Sequence, residues 1–187
     1  MKRLAILLLL NICLCAFAET TSSSDTPATE RITDKPLPRI EWDHSTISLI
    51  HSNSGYARII RLKDGRLLCG YDFRGQIWVR HSSDEGKSWQ EPVHVAKWPH
   101  GFLTNTELLQ MQDGSLLCMY NERPHRRRAD TPPTNESHPY SISVARSEDG
   151  GKTWEQPQRI YSAGHEFENG CWEPAAVQLP SGEVQLF

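Results

Sequence analysis

Two short motifs each occur twice in this chain, in the same order, and a third, weaker copy of the first follows them. Leu62-Lys-Asp-Gly-Arg-Leu-Leu-Cys-Gly-Tyr71 matches Met111-Gln-Asp-Gly-Ser-Leu-Leu-Cys-Met-Tyr120, and Leu179-Pro-Ser-Gly-Glu-Val-Gln-Leu-Phe187 is the weaker copy. Each reads as a strand, a two-residue Gly turn and a second strand, the signature of a hairpin. The turn glycines, Gly65, Gly114 and Gly182, lie 49 and then 68 residues apart. The second motif, S-x-D-x-G-x-S/T-W, runs from Ser82 to Trp89 and from Ser147 to Trp154. Its Asp can accept from the N–H groups of its own turn, its Gly permits a positive φ, and its Trp can anchor the turn in an apolar layer beneath. Such repetition restricts the fold strongly, because one unit cannot bury its apolar face without its neighbours.

Between the motifs, short β-prone runs alternate with Gly, Asn and Asp turns, and no segment has a convincing 3.6-residue period. The chain reads as all-β. Each unit is strand, Gly turn, strand, link, strand, Asp turn, strand, and four antiparallel strands in a unit of this size make a β-propeller blade. Unit one spans about 54–97 and unit two about 101–163, lengthened by a polar insertion at 122–139. Unit three starts near 166 and reaches Phe187 inside its second strand. That is about two and a half blades, whereas closure takes about four to eight. The expectation is the N-terminal part of a chain of roughly 300–400 residues.

Residues 1–18 read as a signal peptide: a basic start at Lys2-Arg3, an apolar run over 4–16 and a small-x-small site at Ala16-Phe17-Ala18. A secreted or periplasmic location follows as an expectation. Residues 19–39, rich in Ser, Thr and Pro, read as a flexible linker, and 40–187 as the propeller part. Without Lys2 and Arg3 the chain has 18 basic and 23 acidic side chains. That balance argues against a nucleic-acid partner, and no later stretch approaches the ~18 apolar residues of a membrane span. Cys69, Cys118 and Cys171 are too few for a disulfide framework, and the first two read as small buried hydrophobes. Metal-ligand spacing is absent, and no metal or cofactor is expected.

With two Asp turns, an export signal and four-strand units, the chain resembles the sialidase (neuraminidase) superfamily of propeller glycosidases, whose repeats are called Asp boxes or BNR repeats. The resemblance covers 54–187 and implies a six-bladed propeller when complete. It also implies an architectural role for Asp84, Asp149, Trp89 and Trp154, and places the chemistry on the innermost strand of each blade. Counting back seven residues from each turn glycine gives Arg58, Glu107 and Ala175. Two residues further back, on the same face by period-2 alternation, lie Tyr56, Asn105 and Glu173. Charged groups on otherwise apolar strands point to a working site, and glycosidases generally use two carboxylates.

Glu173, in Asn169-Gly-Cys-Trp-Glu-Pro174, is the lead acid/base candidate. Trp172 and the proline are expected to give it an apolar setting that raises its pKa. The structural alternatives are an ion pair for Glu173 and neutralisation of Glu107 by Arg58. Tyr56-Ala-Arg58-Ile-Ile60 looks like the sialidase segment whose Arg binds the substrate carboxylate, without its proline. Sialidases also place an acid/base Asp after the first hairpin, where Asp72 is the sole nearby Asp. The N-G-x-W-E-P segment also resembles the exo-arabinanase branch, whose Glu is catalytic. The catalytic candidates are therefore Glu173, Glu107 and Asp72, and the substrate-binding candidates Arg58, Tyr56, Asn105 and Trp172. The resemblance implies an exported exoglycosidase that removes terminal sugars from glycans or polysaccharides. Exo-arabinanase activity or a non-catalytic carbohydrate-binding propeller are the alternatives, and residues 1–187 alone are expected to be inactive. His125 with Arg126-Arg127-Arg128 reads as a solvated loop or a funnel-mouth cluster, and Asn135-Glu-Ser137 as a glycosylation sequon. Trp98 and His100 read as a sugar platform or as packing.

Overall fold

A computed structural model describes residues 39–125 and 138–187. The chain divides into Met1–Glu41 and Trp42–Phe187. In the first unit the described residues, 39–41, hold an exposed Arg39–Glu41 ion pair at 3.2 Å. The basic cluster at 126–128, the sequon at 135–137 and the signal and linker readings over 1–38 lie outside the described residues.

The second unit is built of antiparallel strands. β1 (Gly55–Arg61), β2 (Leu67–Phe73), β3 (Gln76–Ser82) and β4 (Val93–Ala96) form a meander in sequence order. β5 (Gly101–Gln110), β6 (Leu116–Pro124), β7 (Tyr140–Ser147) and β8 (Gln158–Gly164) form a second sheet of the same order, and β9 (Ala176–Gln178) pairs with β10 (Val184–Leu186). The described residues are thus all-β, in several antiparallel sheets. One apolar cluster spans both four-stranded sheets, with Leu68, Ile77 and Val79 from the first and Leu103, Leu116, Cys118 and Ala145 from the second. Cys69 and Cys118 are free and fully buried, and burial pushes both thiols up, Cys69 to about 11.

The hairpin turns differ from the expected two-residue form. Gly65 N–H donates to Leu62 O at 2.9 Å, and Leu62 N–H donates to Arg66 O at 2.8 Å. The loop is therefore the three residues 63–65, a turn completed by Gly65 at φ 88°. Gly114 and Gly182 repeat this geometry at φ 90° and 89°.

Four residues before two of these glycines stands a glutamine that joins neighbouring repeats. Gln110 accepts from the Lys63 backbone N–H at 2.7 Å and donates to Gly114 O at 3.3 Å. Gln178 accepts from the Gln112 N–H at 2.7 Å and donates to Gly182 O at 3.0 Å. Each amide closes its own turn and holds the turn of the repeat before it.

The Asp turns sit at this same end of the sheets. Asp149 accepts from Ser147 Oγ at 2.8 Å, from the N–H groups of Lys152 and Thr153 at 2.9 Å, and from Thr153 Oγ1 at 2.6 Å. Asp84 is held likewise by Ser82 and Ser88. These donors lower both carboxyls, Asp84 to about 2 and Asp149 further, with the Ser88 and Thr153 hydroxyls the largest causes. Trp154 packs against the apolar cluster. A depressed folded-state pKa stabilises the fold above the unfolded pKa near 3.8, and that contribution is lost as pH falls toward 2. Asp149→Asn is expected to cost about 1 kcal/mol at pH 7, after allowing for solvent screening. Its deficit against the native protein should shrink between pH 4 and pH 2. Denaturant melts over that range check this, and a deficit independent of pH would contradict it.

Candidate functional site

The register separates turns from site. Leu67, beside the Gly65 turn, pairs with Ser82 at the start of the Asp turn, while Asp72 pairs with Gly55 and Ile77 at the opposite end. The sequence candidates gather toward that opposite end, where β1 and β5 carry matching bulges. Gly55 pairs with Asp72 and Arg58 with Gly70, so Tyr56 and Ala57 both oppose Tyr71. Thr104 pairs with Asn121 and Glu107 with Met119, so Asn105 and Thr106 both oppose Tyr120. Tyr56, Asn105 and Glu173, each nine residues before its turn glycine, all adopt left-handed backbone at φ 45°, 56° and 51°. A non-glycine residue held there costs about 1–3 kcal/mol, and such strain clusters at working sites. Bulges beside active sites re-aim side chains.

The bulge corrects one expectation. An extra residue breaks the count by twos, so Tyr56 and Arg58, or Asn105 and Glu107, are not related by simple alternation. Tyr56 is half-exposed, whereas Asn105 is buried.

The structure gathers the candidates into three groups. Arg58 Nε lies 3.5 Å from Glu107 Oε2, so the expected pairing is present. Burial nevertheless raises the Glu107 carboxyl above its usual range, against the opposing pull of Arg58. In the second group, Thr104 Oγ1 donates to Asp72 Oδ2 at 2.7 Å and lies 3.1 Å from Asn105 Oδ1. In the third are Trp172 and Glu173. The Trp172 ring stands 4.8 Å from Phe167 and 5.3 Å from Tyr140, and the Arg123 guanidinium lies over it at 5.0 Å. Glu173 itself is exposed. Its expected apolar setting is not found: the carboxylate-bearing residue lies open to solvent, while the Trp172 ring packs on Phe167 and Tyr140.

A cleft of about 390 Å³ opens at this end, lined by Asp72, Phe102, Thr104, Arg123 and Tyr140 among others. Arg123, Thr104 and Tyr140 escaped sequence reasoning, since they lie outside the hairpin motifs. Glu122 also escaped it: buried, it accepts from Ser143 Oγ at 2.6 Å and from Arg159 Nε and Nη2 at 2.8 and 2.5 Å. This is a satisfied structural pair. Trp98 packs against the core and meets His100 and His138 edge-on, which favours packing over a sugar platform. Among the described residues no group of three or more His, Cys, Asp or Glu side chains is arranged to hold a metal ion, and no helix is long and apolar enough to cross a membrane.

No family model matches the sequence, and no curated protein matches it. Solved structures do. A protein of unknown function from Dyadobacter fermentans superposes with a TM-score of 0.52 at 19% identity, over 70% of this chain and 45% of that one. A mutant of the α-L-arabinofuranosidase Arb93A from Fusarium graminearum, in complex with an iminosugar inhibitor, superposes with a TM-score of 0.53 at 24% identity, over 67% of this chain and 38% of that one. The likeness shows a shared fold. A Hadza microbial sialidase matches at a TM-score of 0.46 and 18% identity, over 57% of this chain and 26% of that one. The chain spans less than half the length of each of these structures. Its fold is that of proteins that include glycoside hydrolases.

Proposed function

We propose that this chain belongs to an exported glycoside hydrolase that removes terminal sugars from glycans or polysaccharides by carboxylate chemistry, on a six-bladed sialidase-like propeller. The observation that carries the reading is the left-handed residue at the same place in each of three repeats, with Glu173 at one of them. The fold shared with an arabinofuranosidase supports it. Export rests on the basic start, apolar run and cleavage pattern of 1–18.

The chemistry divides among the candidates by environment. Glu173 is the lead acid/base, reached from solvent at the site end of the sheets. Glu107, raised by burial, holds a proton more readily than an ordinary carboxyl and is the second carboxylate. Asp72 accepts a hydrogen bond from Thr104 and forms the acceptor wall of the cleft. Arg58, Tyr56, Asn105 and Trp172 bind the sugar.

Two substrate classes are distinguished by Arg58. A terminal sialoside carries a carboxylate that an exposed guanidinium can bind, whereas an arabinosyl residue does not. Release of free sugar from sialosides and from arabinan by the natural full-length protein tests the proposal. With a sialoside, Arg58→Ala should raise KM at least ~10-fold, the loss of one charge-assisted contact; with arabinan it should change KM little. Release of no monosaccharide from either class, under conditions where the protein is folded, would refute the exoglycosidase reading.

A further inference from the structure

The repeat that aligns Gly65 with Gly114 also aligns Asp72 with Asn121, each seven residues past its turn glycine. Both side chains reach from the second strand of their sheet to the next repeat, beside its left-handed residue. Asp72 accepts from Thr104, immediately before Asn105. Asn121 accepts from the backbone N–H of Glu173 at 3.1 Å, and its amide NH₂ donates to the Cys171 carbonyl. One side chain thus clamps both sides of Trp172.

Asn121 is fully buried, and its amide orientation is set by its partners. The Glu173 N–H needs an oxygen and the Cys171 carbonyl needs a donor, so only one orientation satisfies both. Buried bonds of this kind are costly to leave unmade. They bear on a residue whose backbone, at φ 51°, is unfavourable unless held.

We infer that Asn121 is a positioning residue: it holds the Glu173 backbone in its left-handed conformation and thereby aims the Glu173 carboxylate at the substrate. The inference rests on the glycosidase reading of Glu173. Two variants test it in the natural full-length protein, the first read by structure and by turnover and the second by the pH dependence of turnover. Asn121→Ala should speed hydrogen exchange of the Glu173 amide at least ~10-fold, while exchange at Leu117 and Met119 on the same strand stays slow. On the substrate the native protein hydrolyses, kcat should fall about 100-fold with KM within a few-fold, the signature of a misplaced catalytic group.

Asn121→Asp keeps the size of the side chain and guards against a loss of fold. Its carboxylate opposes the Cys171 carbonyl, whereas the protonated form can donate as the native amide does. Its pH–rate profile should therefore shift toward acid relative to the native protein. Unchanged Glu173 amide exchange in Asn121→Ala, or an unshifted profile in Asn121→Asp, would overturn the inference. A fully active Glu173→Gln would instead overturn the catalytic reading, and the exchange measurement would still judge the clamp.

Discussion

Glu173→Gln is expected to lower kcat by about 10²–10⁴-fold, the usual worth of a positioned acid/base group, while glycan affinity stays within a few-fold. Gln keeps the shape and hydrogen-bonding capacity of the side chain but cannot exchange a proton. Glu173 is exposed at the end of the sheets opposite the Asp turns, so the substitution leaves the core untouched. A role as general acid makes a further demand. Aryl glycosides with good leaving groups need little protonation, so the variant should lose much less on them than on natural glycans. Equal losses on both would assign Glu173 to the other carboxylate role, and no loss on either would remove it from the chemistry.

Gly101→Ala is expected to destabilise the protein by about 3 kcal/mol or more, the upper range for overpacking a rigid site. A Cβ there would lie 2.1 Å from the Arg123 carbonyl oxygen and 2.6 Å from the Trp98 ring. The nearer atom is backbone of the paired strand, so no rotamer change relieves the clash. The damage would fall where β5 meets β6 beside the cleft. Gly114→Ala is the control: its Cβ meets nothing within 4 Å, and only its φ of 90° opposes a side chain. That should cost about 1–2 kcal/mol. Denaturant melts of the two variants check the ranking, and a smaller loss for Gly101→Ala would contradict it.

Much of the fold is legible in the sequence because its elements are fixed locally. Gly65, Gly114 and Gly182 each demand positive φ, and Asp84 and Asp149 each cap their own turns. Repetition then gives the strand order. The bulges are not legible, since they arise from pairing with β2 and β6, and neither Tyr56 nor Asn105 carries a local signal for an extra residue. Counting by twos therefore named Tyr56, Asn105 and Glu173 for a reason the structure replaces. They are linked by their backbone conformation rather than by alternation. The packing of Trp172 was equally hidden, because its ring meets Tyr140 and Phe167, residues 32 and 5 positions away. Thr104, Arg123 and Asn121 act across repeats. Extending the motif alignment one residue past Tyr71 and Tyr120 would have exposed the Asp72–Asn121 equivalence.

The same strained strands could serve a carbohydrate-binding module that never breaks a bond, so the most direct measurement follows binding and product together. Calorimetric titration of the natural full-length protein with a glycan, with chromatography of the mixture, reads both at once. Binding accompanied by accumulation of a free terminal monosaccharide is expected, with loss of that product and retained binding in Glu173→Gln. Saturable binding by the native protein with the glycan recovered intact would contradict it.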